Sequence, residues 1–124
     1  MITPSERALS ILLCEDEPLI MMHVSEFLKS RGFSVTETVK ASEALAEMAM
    51  AKFDIIVADI ELPDISGVEL AKSARAIDPD IGIIFATGHL DPQNARQIPA
   101  SLVLSKPFGE KQLLRAIRKL TVDS

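Results

Sequence analysis

The sequence lacks several features that would each indicate a particular class of protein. A single cysteine, Cys14, among 124 residues excludes an intramolecular disulfide. Its position in the apolar run Ile11-Leu12-Leu13-Cys14 indicates a small buried thiol, which fits a reducing compartment. No stretch approaches the roughly 18 consecutive apolar residues of a membrane span, and the N-terminus has no signal-peptide core. We therefore expect a cytoplasmic protein without a membrane partner.

The chain also lacks an excess of positive charge. Its formal net charge of -5 argues against non-specific nucleic-acid binding, which needs a basic face. The composition, 48% hydrophobic and 25% charged, is close to the globular average and argues against disorder. We expect one domain over residues 1–124, and the starting Met and the absence of a linker favour a whole protein.

Short apolar runs alternate along the chain with patterns of helical spacing. The first helix is predicted to have Asp16 as its N-cap and Pro18 near its first position, and the second to have Ser42 as its cap. Two further helices are predicted to begin near Ser66 and near Gly109. A weaker pattern over 91–97 predicts a short helical element. Strands are predicted over 8–14, 33–36, 54–58, 81–86 and 102–104. This alternation predicts an α/β fold with a doubly wound parallel sheet and right-handed crossovers.

Polar residues stand directly after four of the predicted strands. In an open doubly wound sheet, sites form outside the carboxyl ends of the strands. Each residue alone would be a solvated strand end, so the prediction of a site depends on the whole set. The set consists of Glu15 and Asp16, then Asp59 and Glu61, then Thr87, and finally Lys106.

These residue types favour phosphoryl chemistry beside a metal ion. Asp16 and Asp59 would repel one another if brought together, unless a cation lies between them. Mg²⁺ suits a site with few protein carboxylates, because it leaves positions for phosphate oxygens and neutralises the charge of a transferring phosphoryl group. Aspartate is an established nucleophile in such reactions. Lys106 and Thr87 are suited to bind phosphoryl oxygens.

Four motifs resemble the receiver domain of response regulators, of the CheY-like superfamily, from about Leu9 to Leu120. The resemblance implies a flavodoxin-like (βα)5 fold with strand order 2-1-3-4-5. It also implies a signalling domain that is not an enzyme, beyond catalysing its own aspartyl phosphorylation and dephosphorylation. The motifs are Glu15-Asp16-Glu17-Pro18, the segment 54–67 around Asp59, Phe85-Ala86-Thr87-Gly88-His89 and Ser105-Lys106-Pro107-Phe108.

The resemblance also implies a role for each site residue. Asp59 would be the phosphoacceptor of a two-component system, with Mg²⁺ or Mn²⁺ as cofactor. The metal would be bound by Asp16, Asp59 and the backbone carbonyl of Glu61, and through water by Glu15. Thr87 would be the switch hydroxyl and Lys106 the lysine that pairs with the phosphoryl group. Lys106-Pro107 would be a cis peptide, as is usual in the family.

The resemblance further implies partners and an output step. A histidine kinase or a histidine phosphotransfer protein would donate the phosphoryl group, and output would pass to a protein partner or into a phosphorelay. Val103 stands where family members usually carry Tyr or Phe, so Thr87 must be coupled to output in another way. With Phe85-Ala86-Thr87-Gly88, this departure resembles an alphaproteobacterial subgroup of receivers, many of them single-domain.

Two positions are candidates for tuning the lifetime of the phosphoryl group. Glu61 lies two residues after Asp59, and His89 lies two residues after Thr87. The alternative interpretation is that both are merely exposed loop residues. Two alternative functions remain open at this point. One is a Mg²⁺-dependent phosphatase of the haloacid-dehalogenase type, although Glu61 replaces its second aspartate. The other is a receiver-like binding module that is never phosphorylated.

Overall fold

The described part of the chain forms one parallel sheet flanked by helices. A computed structural model describes residues 9–88 and 97–121. All four strand pairings are parallel, and the order is β2-β1-β3-β4-β5, as predicted. The strands are β1 (Ser10–Cys14), β2 (Ser34–Thr38), β3 (Ile55–Asp59), β4 (Gly82–Thr87) and β5 (Ser101–Ser105).

Four helices are described, and they connect or follow the strands. They are α1 (Pro18–Ser30), α2 (Ala41–Met50), α3 (Gly67–Ile77) and α4 (Glu110–Thr121). The short element expected over 91–97 falls, apart from Gln97, outside the described residues. None of the helices within 9–88 and 97–121 is long and apolar enough to cross a membrane.

Both faces of the sheet are covered by helices. Successive residues of a strand point to opposite sides, so each strand contributes side chains to both faces. On one face, Leu12, Ile56 and Phe85 pack in a cluster with side chains of α2 and α3. On the other, Leu13 and Val57 pack in a cluster with α1 and α4. Burial on both faces explains why these strands read as nearly continuous apolar runs. The carboxyl edge of the sheet is left to polar residues.

The helix caps differ from two of the sequence predictions. The predicted cap Asp16 lies before the helix, because the chain is still extended at Glu17, which is the N-cap of α1 and makes no side-chain cap bond. The predicted cap Ser42 lies inside α2, whose N-cap is Lys40. Ser66 does cap α3, since its hydroxyl accepts a bond of 3.1 Å from the backbone N–H of Glu69.

Candidate metal and phosphoacceptor site

Three carboxylates meet at the carboxyl edge of two adjacent strands. Cys14 of β1 pairs with Ala58 of β3, so Glu15 and Asp59 follow side by side. One carboxylate oxygen from each of Glu15, Asp16 and Asp59 lies within 4.8 Å of the other two. Glu15 and Asp59 are buried, with 3% and 6% of their surface exposed, whereas Asp16 is exposed. The predicted cluster is therefore assembled in the structure.

Lys106 reaches this cluster from the loop after β5. Its Nζ lies 3.0 Å from Oδ2 of Asp59 and 3.1 Å from Oε1 of Glu15. The backbone of Lys106 is fixed by its N–H, which donates to the carbonyl of Thr87 at 2.7 Å. The Lys106–Pro107 peptide is cis, as expected. Lys106 therefore supplies the positive charge beside the two buried carboxylates.

The electrostatics of the cluster favour a bound cation. Burial raises the pKa of Glu15, even though the N–H of Glu17 and the ammonium of Lys106 act to lower it. The charge of Asp59 raises that pKa further. Burial also acts to lower the pKa of Lys106, but its hydrogen bonds to Asp59 and Glu15 outweigh burial and raise it. Two buried carboxylates thus face one ammonium and the carboxylate of Asp16 lies beside them, which leaves negative charge to be neutralised.

The donor set fits a hard divalent ion. Mg²⁺ prefers oxygen ligands, binds through one or a few carboxylates and retains water. Glu15, Asp16 and Asp59 offer such oxygens, and Mn²⁺ accepts the same donor type. The backbone of Glu61 lies in the loop directly after Asp59 and contacts it, because its N–H donates to Oδ1 of Asp59 at 3.0 Å.

The loop after β3 is closed at its base by backbone contacts that the sequence pattern does not predict. The N–H of Ile60 donates to Ala86 at 3.0 Å, and the carbonyl of Ile60 accepts from Gly67 at 2.7 Å. A Cβ atom on Gly67 would lie 2.3 Å from the carbonyl oxygen of Asp59. Only glycine allows this approach. The position of Gly67 relative to Asp59 is the sequence signal that could have predicted this close approach.

The remaining candidate residues lie around this edge. Thr87 ends β4, is 1% exposed and follows Ala86, the register partner of Asp59. Val103 lies on β5, pairs with Phe85 of β4 and packs, half-buried, against the cluster on the α2 and α3 face. Glu61 is exposed on the loop after β3. His89 lies outside the described residues, so its predicted tuning role stays a prediction.

Fold and site together are those of a CheY-like signalling domain. The sequence model of the family described as "Response regulator receiver domain" matches residues 11–118. The chain belongs to this family.

Two curated relatives extend this finding. The response regulator receiver protein CpdR of Brucella abortus is 34% identical over 116 residues, which are 90% of this chain and 96% of CpdR. The sensor kinase CckA of the same organism is 35% identical over 116 residues, but this chain spans only 12% of its length.

Two solved structures show the same architecture. A response regulator receiver protein from Sinorhizobium medicae is 32% identical and superposes with a TM-score of 0.86, covering 92% of this chain and 94% of that chain. The response regulator TrrA of Thermotoga maritima, in complex with Mg²⁺ and BeF, is 28% identical with a TM-score of 0.80, covering 90% and 98%.

Membership in this family defines the general function. The chain is a receiver domain of two-component signal transduction and acts as a response regulator, a signalling module. Receiver domains interact with histidine kinases, and the acidic cluster fits the Mg²⁺ that this family binds.

Proposed function

We propose that Asp59 accepts a phosphoryl group from a phosphohistidine in a reaction that depends on Mg²⁺. The observation that carries this proposal is the environment of the Asp59 carboxylate. Oδ1 accepts from the N–H of Glu61, Oδ2 contacts Lys106 at 3.0 Å, and the carboxylates of Glu15 and Asp16 lie beside it. A buried aspartate that is oriented on both oxygens is suited to act as a nucleophile.

The proposed transfer assigns a task to each side chain. An oxygen of Asp59 forms a bond to phosphorus while the P–N bond to the donor imidazole breaks, and the imidazole leaves with the electron pair. Lys106 pairs with a phosphoryl oxygen, and the Thr87 hydroxyl donates to another. Glu15, Asp16, Asp59 and the Glu61 carbonyl would hold Mg²⁺. When bound, Mg²⁺ neutralises charge on the transferring group.

The proposed donor is a histidine kinase or a histidine phosphotransfer protein, and the proposed readout is a protein partner. The family interacts with histidine kinases, and the similarity to part of the sensor kinase CckA supports a place in such a relay. The free, buried thiol of Cys14 supports a reducing compartment, so we place the chain in the cytoplasm. We treat residues 1–124 as one receiver domain.

Glu61 and His89 are proposed to tune how long the phosphoryl group persists. We expect Glu61→Ala or His89→Ala to change the rate of autodephosphorylation more than the rate of acceptance. The measurement is the decay of labelled protein after the donor is removed. Lifetimes equal to that of the wild type in both variants would contradict the assignment.

The test of acceptance compares two aspartates at opposite ends of β3. The wild type is incubated with acetyl phosphate and Mg²⁺, and phosphorylation is followed by intact mass and by its sensitivity to hydroxylamine, which cleaves acyl phosphates. Asp59→Asn should abolish the adduct. The matched control is Asp54→Asn, because Asp54 is exposed, lies at the other end of the strand and accepts from the N–H of Ser10.

Three outcomes would contradict the proposal. One is an adduct retained by Asp59→Asn, and another is an adduct formed equally well without a divalent ion. The third is an unmodified wild type that also gives no NMR shift with Mg²⁺ and beryllofluoride, as expected of a receiver-like module that is never phosphorylated. Multiple turnover of a small phosphate ester would instead favour a phosphatase.

A further inference from the structure

The N-terminus of α2 is capped by a side chain from a distant loop. Its N-cap residue, Lys40, makes no side-chain cap bond. Instead the carboxylate of Asp64 accepts from the N–H of Ala41 at 2.9 Å and from the N–H of Ser42 at 2.8 Å. Asp64 therefore satisfies donors that a helix start leaves unpaired, from 22 and 23 residues along the chain.

The loop that holds Asp64 also holds part of the candidate site. Residues 60–66 connect Asp59 to α3, and the loop is closed at its base by the bond from Gly67 to Ile60. Between that base and Asp64 lies Glu61, whose N–H binds Oδ1 of Asp59. The carboxylate of Asp64 thus fixes the far side of the segment that orients the acceptor.

The carboxylate of Asp64, which anchors the β3–α3 loop to α2, is ionised and is not part of the cluster formed by Glu15, Asp16 and Asp59. Burial acts to raise the pKa of Asp64, but the N–H groups of Ser42, Ala41 and Ile65 outweigh it and lower the pKa to about 2. Within residues 9–88 and 97–121, the group of side chains able to hold a metal consists of Glu15, Asp16 and Asp59. Asp64 is not one of these ligands, so any effect on the metal must pass through the loop or through its charge.

We propose that Asp64 is a positioning residue for the metal and acceptor site, which it serves by tying the β3–α3 loop to α2. This inference rests on the proposed function, because it assumes that Glu61 offers its backbone carbonyl to Mg²⁺. Without the anchor, the segment around Glu61 gains freedom and must be ordered when the metal binds. Outer partners that orient metal ligands typically affect affinity by about 10–100-fold, so we expect roughly tenfold weaker Mg²⁺ binding in Asp64→Ala.

The experiment separates positioning from helix capping. Mg²⁺ affinity is measured by NMR titration well below the unfolding temperature, and thermal unfolding is measured by circular dichroism. Asp64→Ala should lower both the affinity and the unfolding temperature. A second substitution, Lys40→Ser, places a local cap on α2. In Asp64→Ala/Lys40→Ser we expect the unfolding temperature to recover while the affinity stays low, with Lys40→Ser alone as the reference.

A further variant separates positioning from charge. Asp64→Asn removes the negative charge but keeps the oxygen that accepts from Ala41 and Ile65. We expect Asp64→Asn to bind Mg²⁺ clearly more tightly than Asp64→Ala does. Equal loss in both variants would mean that charge alone acts, and this would overturn the inference.

Two other results would also overturn the inference. A third result would bear on the proposed function instead. Wild-type affinity in Asp64→Ala would show that the anchor does not matter, whereas recovery of affinity by Lys40→Ser would reduce Asp64 to a helix cap. If the wild type itself binds no Mg²⁺, the proposed function fails, and the positioning role fails with it. If the wild type binds Mg²⁺ and Asp64→Ala binds it equally well, only the positioning role fails and the proposed function stands.

Discussion

Gly67 is the position at which one added methyl group should disturb both stability and the acceptor. It begins α3, and a Cβ there would lie 2.3 Å from the carbonyl oxygen of Asp59 and 2.8 Å from Cα of Ile60. Both are backbone atoms, so neither can rotate away. Helix propensity alone predicts the opposite outcome, because alanine is favoured over glycine inside a helix by about 1 kcal/mol.

The contact geometry decides between these two effects. Overpacking typically costs about 1–3 kcal/mol, and this contact lies more than an ångström inside the ordinary range, which begins at 3.4 Å. At 2.3 Å we take the upper end of that range, about 3 kcal/mol, so Gly67→Ala should lose about 2 kcal/mol net once the propensity gain of about 1 kcal/mol is subtracted. With a urea slope of about 1–3 kcal/mol/M, the unfolding midpoint should fall by about 1 M.

The assay for Gly67→Ala is urea unfolding followed by circular dichroism, because the chain has no Trp or Tyr. Gly109→Ala is the control, since a Cβ there would meet only Oε1 of Gln112, at 3.8 Å. Its midpoint should change much less. A Gly67→Ala midpoint equal to or above that of the wild type would refute the reasoning. Acceptance at Asp59 should also slow, because its backbone must shift.

Three further predictions concern single residues. Burial raises the pKa of the Cys14 thiol to about 11, so a thiol reagent near pH 8 should label the protein only as it unfolds; rapid labelling of the folded chain would contradict this. Ala100 has φ of 52°, which costs an L-residue about 1–2 kcal/mol, so Ala100→Gly should raise the melting temperature, and a decrease would refute the strain. Backbone N–H groups lower the pKa of Asp64 to about 2 against the opposing effect of burial. Its stabilisation is therefore complete above about pH 4 and is lost toward pH 2, so the difference in melting temperature between wild type and Asp64→Ala should shrink over that range.

The sheet and the site chemistry could be predicted from the sequence because both depend on short-range patterns. Parallel strands covered on both faces read as apolar runs, and β3 was predicted to within one residue at each end. Once the strands are assigned, topology brings their carboxyl ends together. Asp59 and Lys106, 47 residues apart, meet at 3.0 Å for this reason.

Contacts between loops and helices could not be predicted in the same way. Two backbone N–H groups at the start of α2 donate to the carboxylate of Asp64. The guanidinium of Arg75 donates to the carbonyls of Ile81 and Ala100 at 2.8 and 2.9 Å. Nothing in the spacing of these residues along the sequence indicates which segments they join. The sequence favours Ser42 as the cap of α2, because a capping side chain usually belongs to the N-terminus of its own helix. In the structure the carboxylate of Asp64 accepts from the N–H groups at the start of α2 instead, so the helix does not require a capping side chain at Lys40.

The output step is also harder to predict from sequence than the acceptor chemistry, because it involves packing between distant segments. The proposed acceptance uses charged groups at strand ends, which the strand pairing brings to one edge of the sheet. We expect output to depend on how Val103 packs, and Val103 is half-buried against the cluster on the α2 and α3 face, as Ile98 is. A β-branched side chain is restricted at χ1 and carries no ring, so Val103 cannot turn an aromatic ring inward as a tyrosine or phenylalanine can. We therefore expect a phosphorylation signal that passes through Thr87 to shift the backbone near Val103 rather than to rotate a ring there.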